Sequence, residues 1–376
     1  MSRAPDVAII GGGLLGWSVA YRLGKAGVST LIIDREDEGF ATQAGAGIIA
    51  PGASFRAFDQ LFDLSCAAMR YYPDLIEELK SDAVLDTGYA VVGALFIART
   101  DHEADTLPAA LETIAQRRSA GMGNIGQLSL VTGPEAQSLF PPLGPIPGAI
   151  HLTGAARVDG RKLLRALMTA SKQHSVEVRP GSASIGVRDG KASLTIDNTP
   201  LIVGTIVIAG GAWSGTLGAQ IGINIPVYPQ RGQIIHVRMD DDDTSGWPII
   251  EGYVSHYILT FGPDRVVFGA TREHDSGYAV NATAGGIKQV LDNALSVAPG
   301  LTPAVLSEIR IGLRPFSPDE LPILGSTPGI DNLFICTGHG PSGLTLGPYS
   351  GAAVAQVIQG QIPEVDLGPF SVSRFQ

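Results

Sequence analysis

The chain is poor in cysteine, aromatic residues and charge. Its 376 residues include only two cysteines, Cys66 and Cys336, which lie far apart and outside any metal-ligand spacing. We therefore predict a reducing compartment and no metal centre. The sequence also shows no residue order typical of a Ser-His-Asp catalytic triad and no phosphate-binding P-loop motif. It therefore supports neither a triad hydrolase nor a P-loop nucleotide site.

Long apolar runs and an excess of positive charge are also missing. The longest apolar run, LIVGTIVIAGGAW, is interrupted by Gly204, so no stretch predicts a transmembrane helix. The net charge of −10 argues against a nucleic-acid partner held through its phosphates. The first glycine turn follows Met1 so closely that we expect no signal peptide and a cytoplasmic protein. Homo-oligomerisation is left open.

Glycine and apolar residues, by contrast, are plentiful. The 48 glycines indicate many tight turns and close backbone approaches, and the 44% hydrophobic fraction is enough for a large core. A chain of 376 residues forms either one large domain or two of ordinary size.

The N-terminal stretch VAIIGGGLLGWSVAYRLGKAGVSTLIID predicts a strand, a glycine turn, a helix and a second strand. Gly11, Gly13 and Gly16 form G-x-G-x-x-G, which allows a tight turn, close approach to a pyrophosphate and close helix–strand packing. Asp34 ends the second strand, where an acid accepts hydrogen bonds from ribose hydroxyls. The stretch predicts a dinucleotide site and disfavours NADP, but it leaves FAD and NAD open.

The later segments alternate between two kinds of structure. Glycine-rich turns follow buried strands in TIVIAGGAWSG and in NLFICTGHGPSG, whereas residues 227–280 are dominated by strands. We therefore predict two interleaved domains. The first is a nucleotide-binding domain of residues 1–80, 146–222 and 306–376, and the second is a substrate domain of residues 81–145 and 223–305.

Seven stretches taken together resemble the D-amino-acid oxidase family of flavoenzymes, in its glycine oxidase and D-amino-acid dehydrogenase branch. They stand in the family's order and are VAIIGGGLLGWSVAYRLGKAG, AGAGIIAPG, TIVIAGGAWSG, PQRGQI, VVFGATRE, GLRPFSPDELPILG and TGHGPSGLTLGP. The resemblance implies an α/β fold in which a Rossmann-like FAD-binding domain is interleaved with a β-rich substrate domain of antiparallel sheet plus helices. It also implies FAD rather than NAD. Neither cysteine occupies the family's attachment position, so we expect non-covalent FAD.

The activity that the resemblance implies is oxidation of the C–N bond of a small amino acid. Hydride would pass from the α-carbon to flavin N5, and the imine would hydrolyse to a 2-oxo acid and an amine. Glycine, an N-substituted glycine or a D-amino acid would be the substrate, with O2 or a quinone as the electron acceptor. The alternatives are a larger secondary-amine biosynthetic intermediate, a flavin-bound scaffold subunit without turnover, and an NAD-dependent dehydrogenase.

The resemblance also assigns site residues. Arg314 in GLRP would bind the substrate carboxylate, since a guanidinium fork binds a carboxylate through two hydrogen bonds; a structural salt bridge is the alternative. Tyr257, or Tyr253 if the alignment slips, would lie at the pocket mouth. The implied cofactor contacts are Gly11, Gly13, Leu14, Leu15, Gly16, Asp34, Arg35, Thr42, Ala46, Gly47, Ile48, Val178, Gly210, Gly211, Trp213, Arg314, His339, Gly340, Ser342, Gly343, Leu344 and Thr345.

Two further polar residues in these stretches have competing interpretations. Arg231 in PQRGQ is favoured as an interdomain brace over a second carboxylate contact. His339 is favoured as a structural histidine over a catalytic base. Because a substrate amine that binds in its neutral form needs no base, we assign no general base from the sequence.

Overall fold

The computed structural model describes residues 4–53, 58–123, 125–240, 242–253 and 256–376. The strands are β1 (Val7–Ile10), β2 (Thr30–Asp34), β3 (Ile48–Ile49), β4 (Ala90–Val91), β5 (Ala94–Ala98), β6 (Leu128–Thr132), β7 (Gly148–Leu152), β8 (Ala156–Arg157), β9 (Val176–Pro180), β10 (Ala183–Arg188), β11 (Lys191–Ile196), β12 (Thr199–Leu201), β13 (Thr205–Ile208), β14 (Tyr228–Arg238), β15 (Ile249–Tyr253), β16 (His256–Phe261), β17 (Arg265–Gly269), β18 (Val305–Phe316), β19 (Ile323–Thr327) and β20 (Ile330–Thr337). The helices are α1 (Leu14–Lys25), α2 (Ala41–Ala44), α3 (Phe58–Ala83), α4 (Asp101–Ala104), α5 (Leu107–Ser119), α6 (Gly133–Leu139), α7 (Gly160–Gln173), α8 (Ser214–Ala219), α9 (Ala284–Val297) and α10 (Gly343–Ile358).

A six-stranded sheet forms the first half of the fold. Its order is β19-β20-β13-β1-β2-β9, and every neighbouring pair is parallel except β19 with β20. The short strands β1, β2 and β13 are continuous apolar runs because both faces of the sheet are covered. Val7, Ile9 and Ile32 face the cluster that contains helices α1, α3, α7 and α10, whereas Ile10 and Ile33 face the antiparallel strands β10–β12.

An eight-stranded sheet forms the second half. Its order is β18-β14-β17-β16-β15-β5-β7-β6, and all pairs are antiparallel except β15 with β5. One face packs on α9, where Val290 and Ala294 meet Ile235 and Phe268. The opposite face packs on α5 at one end. The strands β18, β14, β17, β16 and β15 at the other end of that face form one wall of the site described below.

The predicted combination of a Rossmann-like parallel sheet with a β-rich second part is confirmed. The residue ranges of the two domains stay a prediction. Strands β7 and β18 fall within the ranges assigned to the nucleotide-binding domain, yet both pair within the eight-stranded sheet. We therefore propose that they belong with the substrate domain. None of the described helices has the length and apolarity that crossing a membrane requires.

An ion pair joins the two sheet systems behind the site. Asp159 is only 4% exposed and accepts hydrogen bonds from the backbone N–H groups of Arg161 and Lys162, so it caps the N-terminus of α7. Its second oxygen binds Arg265 of β17. Although burial opposes ionisation, the hydrogen bond and charge of Arg265 hold the pKa of Asp159 below its ordinary value.

The Asp159→Asn variant should therefore lose about 2 kcal/mol of stability, because asparagine still caps α7 but leaves the Arg265 charge unpaired. Since the folded-state pKa of Asp159 lies below the unfolded value, its stabilisation is complete above the unfolded pKa and is lost as the pH falls through the folded one. Urea unfolding at neutral and acid pH measures both effects, and the loss should shrink in acid.

Glu77→Gln is the matched control, because the Glu77–Lys80 pair has side chains 73% and 60% exposed. Exposed pairs contribute about 0–1 kcal/mol. Equal losses for the Asp159 and Glu77 variants would contradict a stabilising role for the buried pair.

Candidate functional site

Two cavities join into one groove between the sheets. The first, of about 180 Å³, lies at the carboxyl ends of β1, β2 and β13, where parallel sheets bind nucleotides. The second, of about 480 Å³, extends from it to the eight-stranded sheet. Both are lined by Leu14, Leu15, Ala41, Thr42 and Pro315, so the groove is continuous.

The three motif glycines have different tasks in this groove. Gly11 has φ +113°, and a Cβ there would clash with the carbonyl oxygen of Ala209. A Cβ on Gly16 would clash with the Gly11 carbonyl, so both positions need glycine for the fold itself. Gly13 differs, because a Cβ there would meet nothing nearer than the Thr42 hydroxyl, at 3.8 Å. The space over Gly13 is open to the groove, as the approach of a pyrophosphate requires.

The end of β2 supplies the acidic corner of the first cavity. The Asp34 carboxylate accepts hydrogen bonds from the backbone N–H groups of Gly12 and Glu36, which hold it at the edge of the groove. Arg35 also lines the cavity and pairs with Asp37 at 2.6 Å. Asp34 therefore lies where an acid can accept from hydroxyl groups of a nucleotide.

The opposite wall is the glycine turn after β13. Gly210, Gly211 and Trp213 all line the first cavity, and Gly211 has φ +54°. The Trp213 ring stacks on Tyr278 with ring centroids 5.5 Å apart. The Tyr278 hydroxyl donates to the Ala212 carbonyl at 3.3 Å.

Val178 is the one predicted cofactor contact on β9. It pairs with Ile32 in the sheet, its side chain is 44% exposed, and it is not among the residues that line either cavity. The residues that line this end of the groove are Gly181, Ser182, Ala183 and Ser184. They follow the carboxyl end of β9, whereas Val178 lies in the middle of the strand.

The second cavity contains the predicted segment after β2. The Thr42 hydroxyl accepts from the backbone N–H of Leu14 at 3.1 Å and so binds the start of α1. Ala46, Gly47 and Ile48 line the cavity. Gly47 has φ +90°, and a Cβ there would clash with the Val158 carbonyl.

The C-terminal glycine loop closes the same cavity. Lining residues are His339, Gly340, Ser342, Gly343, Leu344 and Thr345. The Thr345 hydroxyl donates to the Ile48 carbonyl at 2.9 Å, which ties this loop to β3. Because α10 begins at Gly343, the partial positive charge of a helix N-terminus lies at the cavity wall.

His339 is a buried member of this loop. It is 2% exposed, and its Nε2 lies 2.9 Å from the Ser350 hydroxyl. Burial lowers the pKa of His339 to about 4, so the ring is neutral at pH 7. These contacts support the structural interpretation of His339.

Arg314 and Tyr257 lie on the wall that the eight-stranded sheet provides. The Arg314 guanidinium lies over Gly232, where a Cβ would come within 2.5 Å of Nη2. Its Nη1 donates to the Thr271 carbonyl at 3.1 Å and to the Gln230 side chain at 3.3 Å. These two contacts hold the guanidinium of Arg314 in the lining of the second cavity.

The Tyr257 ring lies over Gly269 in the same way, and Gly269 is its partner in the β16–β17 register. Burial raises the pKa of Tyr257 to about 12 against the opposing charge of Arg314, so the phenol keeps its proton. The side chain of Tyr253, the alternative at the pocket mouth, lies outside the described residues.

Arg231 does not line either cavity. Its guanidinium binds Glu273 through Nε at 3.0 Å and Nη2 at 2.6 Å. Gln233 and Thr271 bind the other oxygen of Glu273, both at 2.7 Å. This network supports the interpretation of Arg231 as a brace, within the substrate part rather than between domains.

Several polar residues that line the second cavity were not predicted from the sequence. They are Ser65, Glu251, His256, Arg272 and Glu320. Arg272 directly follows the GAT of VVFGATRE, so a charge at the end of a quoted motif was the available signal. Glu251 and His256 flank Tyr253 in EGYVSHYI, but only the strand register shows which of their side chains face the cavity.

A nucleotide-type glycine turn, continued by a cavity with an arginine on an antiparallel sheet, defines a dinucleotide-dependent oxidoreductase. Residues 6–357 match the DAO family of FAD dependent oxidoreductases, and the chain belongs to this family. Its cofactor is therefore FAD, and the predicted family, enzyme class and cofactor are confirmed.

The similarity extends to individual proteins over nearly the whole chain. The chain is 38% identical to the uncharacterized oxidoreductase YurR of Bacillus subtilis (strain 168), over 96% of this chain and 97% of that protein. The crystal structure of iminodiacetate oxidase (IdaA) from Chelativorans sp. BNC1 matches with a TM-score of 0.93 and 39% identity, over 97% of this chain and 98% of that one. Glycine oxidase from Geobacillus kaustophilus matches with a TM-score of 0.90 and 27% identity, over 99% of both chains.

The groove fits FAD in shape and chemistry. The open space over Gly13 and the Asp34 carboxylate would hold the pyrophosphate and ribose end, and the start of α10 would face the flavin end. Both cysteines are buried, and neither lines the groove. This arrangement supports the expectation of non-covalent binding.

Proposed function

We propose that this chain oxidises a small secondary amine that carries a carboxylate on each nitrogen substituent, an iminodiacetate-type N-substituted glycine. The observation that carries this proposal is the presence of two arginines, Arg314 and Arg272, in the lining of one cavity. A substrate with one carboxylate needs one guanidinium. A second guanidinium suits a second carboxylate, since the fork geometry matches that group.

The two arginines approach the cavity from different strands. Arg314 belongs to β18, and Arg272 follows β17, two strands further along the sheet. Arg314 is half-buried and oriented by Thr271 and Gln230, whereas Arg272 is exposed at the rim. We infer that Arg314 binds the carboxylate beside the reacting carbon and Arg272 binds the outer carboxylate.

The chemistry divides between the cofactor and the chain. FAD, when bound, would supply the acceptor for a hydride from the substrate α-carbon. Arg314 holds the adjacent carboxylate, which orients the C–H bond and limits its motion. The resulting imine reacts with water to give a 2-oxo acid and a primary amine. O2 or a quinone is the proposed final electron acceptor.

Glycine is the second candidate substrate. It is favoured by 28% identity to glycine oxidase of Geobacillus kaustophilus over the whole chain. Glycine requires only Arg314, so it leaves Arg272 without a task in the reaction.

The visible spectrum of the purified enzyme under anaerobic conditions tests the proposal. Iminodiacetate, sarcosine, glycine and a panel of D-amino acids are added one at a time. We expect iminodiacetate to bleach the flavin bands with the highest kcat/KM. Faster bleaching by glycine would replace the proposal with the glycine candidate, and bleaching by none of them would overturn both.

Arg272→Met should raise KM for iminodiacetate by roughly fivefold, because an exposed ion pair with the outer carboxylate is worth about 1 kcal/mol. Sarcosine has no outer carboxylate, so its KM should change less than about twofold. Steady-state kinetics with both amines measures the contrast. Arg188→Met, whose side chain is 93% exposed on the β10–β11 hairpin, is the charge-matched control. Equal losses for iminodiacetate and sarcosine would contradict the assignment of Arg272.

A further inference from the structure

Glu251 is a carboxyl group in the second cavity to which none of the steps above gives a task. It lies on β15, its backbone pairs with Phe96 of β5, and both residues line the cavity. The neighbouring Ile249 and Ile250 are fully buried, so the strand is anchored on both faces. Among the described side chains, Glu251 has no hydrogen-bond or ion-pair partner.

The sheet places Glu251 on the same face as the substrate-binding side chains. Side chains alternate along a strand, and Ile249, two residues before Glu251, packs in the cluster of that face. Moving across the face from β18 to β15, one meets Arg314, Gly232, Gly269, Tyr257 and finally Glu251. The two glycines lack side chains, and the Arg314 guanidinium and the Tyr257 ring fill the space above them, so these two groups form the cavity wall between β18 and Glu251.

The order of charges across this wall matches an amino acid. Neighbouring strands lie about 4.8 Å apart, so four strand spacings, about 19 Å, separate the backbones that carry Arg314 on β18 and Glu251 on β15. The two side chains extend into that span and leave room for a small molecule. A carboxylate at Arg314 directs the amine of the same molecule away from the arginine and towards the β16–β15 side.

We propose that Glu251 binds the substrate ammonium and accepts its proton, so that the amine is neutral when its α-hydrogen leaves. This inference rests on the proposed function. In the step, an N–H bond breaks, an O–H bond forms on Glu251 Oε, and the lone pair stays on nitrogen. The C–H electron pair would then pass to the oxidant that the family uses, FAD.

The proton affinity of Glu251 suits a base at neutral pH. Burial raises the pKa of its carboxyl to about 7. The match of pKa and working pH is what general base catalysis requires. The ionisable residues that line the cavity with Glu251 are Tyr257 on β16, Arg272 after β17, Arg314 on β18, Glu320 in the following loop, His339 before α10 and His256 on β16. The His256 ring itself contacts Asn293 of α9 at 2.9 Å on the other face of the sheet.

Glu251→Gln tests the proposal through the pH profile. In the native enzyme, kcat/KM for the amine should fall as the pH drops below about 7 and Glu251 takes up a proton. In the Gln variant the limb near pH 7 should be replaced by one at the higher pKa of the free amine, because only the neutral amine then reacts, and kcat/KM at pH 7 should fall roughly 100-fold, the usual range for a lost base. Glu251→Asp keeps the charge and should keep the acid limb. Glu112→Gln, at an exposed position of α5, is the control.

Binding of an analogue that is not oxidised supplies a second readout. Thiodiacetate replaces the amine by a thioether, and its dissociation constant follows from the shift of the flavin spectrum. It should bind the Gln variant roughly tenfold more tightly than the native enzyme at pH 8, because a like charge is removed. The same substitution should weaken binding of the amine, so the dissociation constants of the two ligands should change in opposite directions.

The outcomes separate this inference from the proposed function. If another amine proves to be the substrate, that amine and its thioether analogue enter the same comparison. An acid limb that stays near pH 7 in the Gln variant, or equal changes in the affinities for the amine and the thioether, would overturn the task of Glu251. Loss of flavin in the Gln variant shifts the test to Glu251→Asp, in which loss of the acid limb would also overturn the proposal.

Discussion

Arg314→Ala is expected to lower kcat/KM by roughly 1,000-fold while the protein keeps its flavin. Removing one partner of a buried, hydrogen-bonded charge pair costs about 4 kcal/mol, much of it from the substrate carboxylate left without a counter-charge. Arg314→Lys should recover only part of the loss. An ammonium carries the charge but lacks the fork that binds two carboxylate oxygens and the Thr271 carbonyl together.

A substrate without a carboxylate makes this test specific. The methyl ester of the amine substrate offers no anion to Arg314, so the native enzyme and the Ala variant should oxidise it at similar low rates. The carboxylate form should show the full difference. The flavin-to-protein absorbance ratio serves as the control for folding. An unchanged KM for the carboxylate in the Ala variant would rule out the binding task of Arg314.

Gly13→Val should give a folded but colourless protein. The ideal Cβ at this position lies 3.8 Å from its nearest neighbour, and the backbone of Gly13 is extended, so the chain itself tolerates a side chain. The added methyl groups instead occupy the space that the pyrophosphate needs. We expect FAD affinity to fall at least 100-fold, with helix content by circular dichroism near that of the native protein stripped of flavin.

Gly16→Val is the matched comparison. Its Cβ would clash with the carbonyl oxygen of Gly11 between β1 and α1, a backbone contact that cannot move aside. This variant should accumulate as unfolded or aggregated protein. A yellow Gly13→Val protein with native flavin content would show that the turn is not the cofactor site, and a folded Gly16→Val protein would contradict the packing argument.

Much of the cofactor half could be predicted because its signals are local. The apolar run Val7–Ile10, the three glycine positions and Asp34 lie within one strand–turn–helix–strand unit. Steric limits on φ and on close packing act over a few residues there, so the residue types report the conformation directly. Thr42, Gly47 and the loop from His339 to Thr345 were assigned by resemblance, and the structure brings all of them to the groove.

The substrate half was harder to predict from the sequence, because its site depends on strand register. Glu251 and Phe96 become neighbours only because β15 pairs in parallel with β5, about 150 residues earlier in the chain. Likewise, Gly232 and Gly269 make room for Arg314 and Tyr257 through pairing across strands. A one-residue shift in any of these registers would turn the side chains to the other face.

The sequence alone therefore determined the family, the cofactor and the dinucleotide turn, since these depend on short motifs whose backbone geometry only certain residues permit. The tertiary structure decided which side chains share the substrate cavity. Arg272, Arg314 and Glu251 come from three separate strands or strand ends, and only the folded sheet brings them to the lining of one cavity. Charge complementarity is a property of that assembled wall, so it has no local signature in the chain.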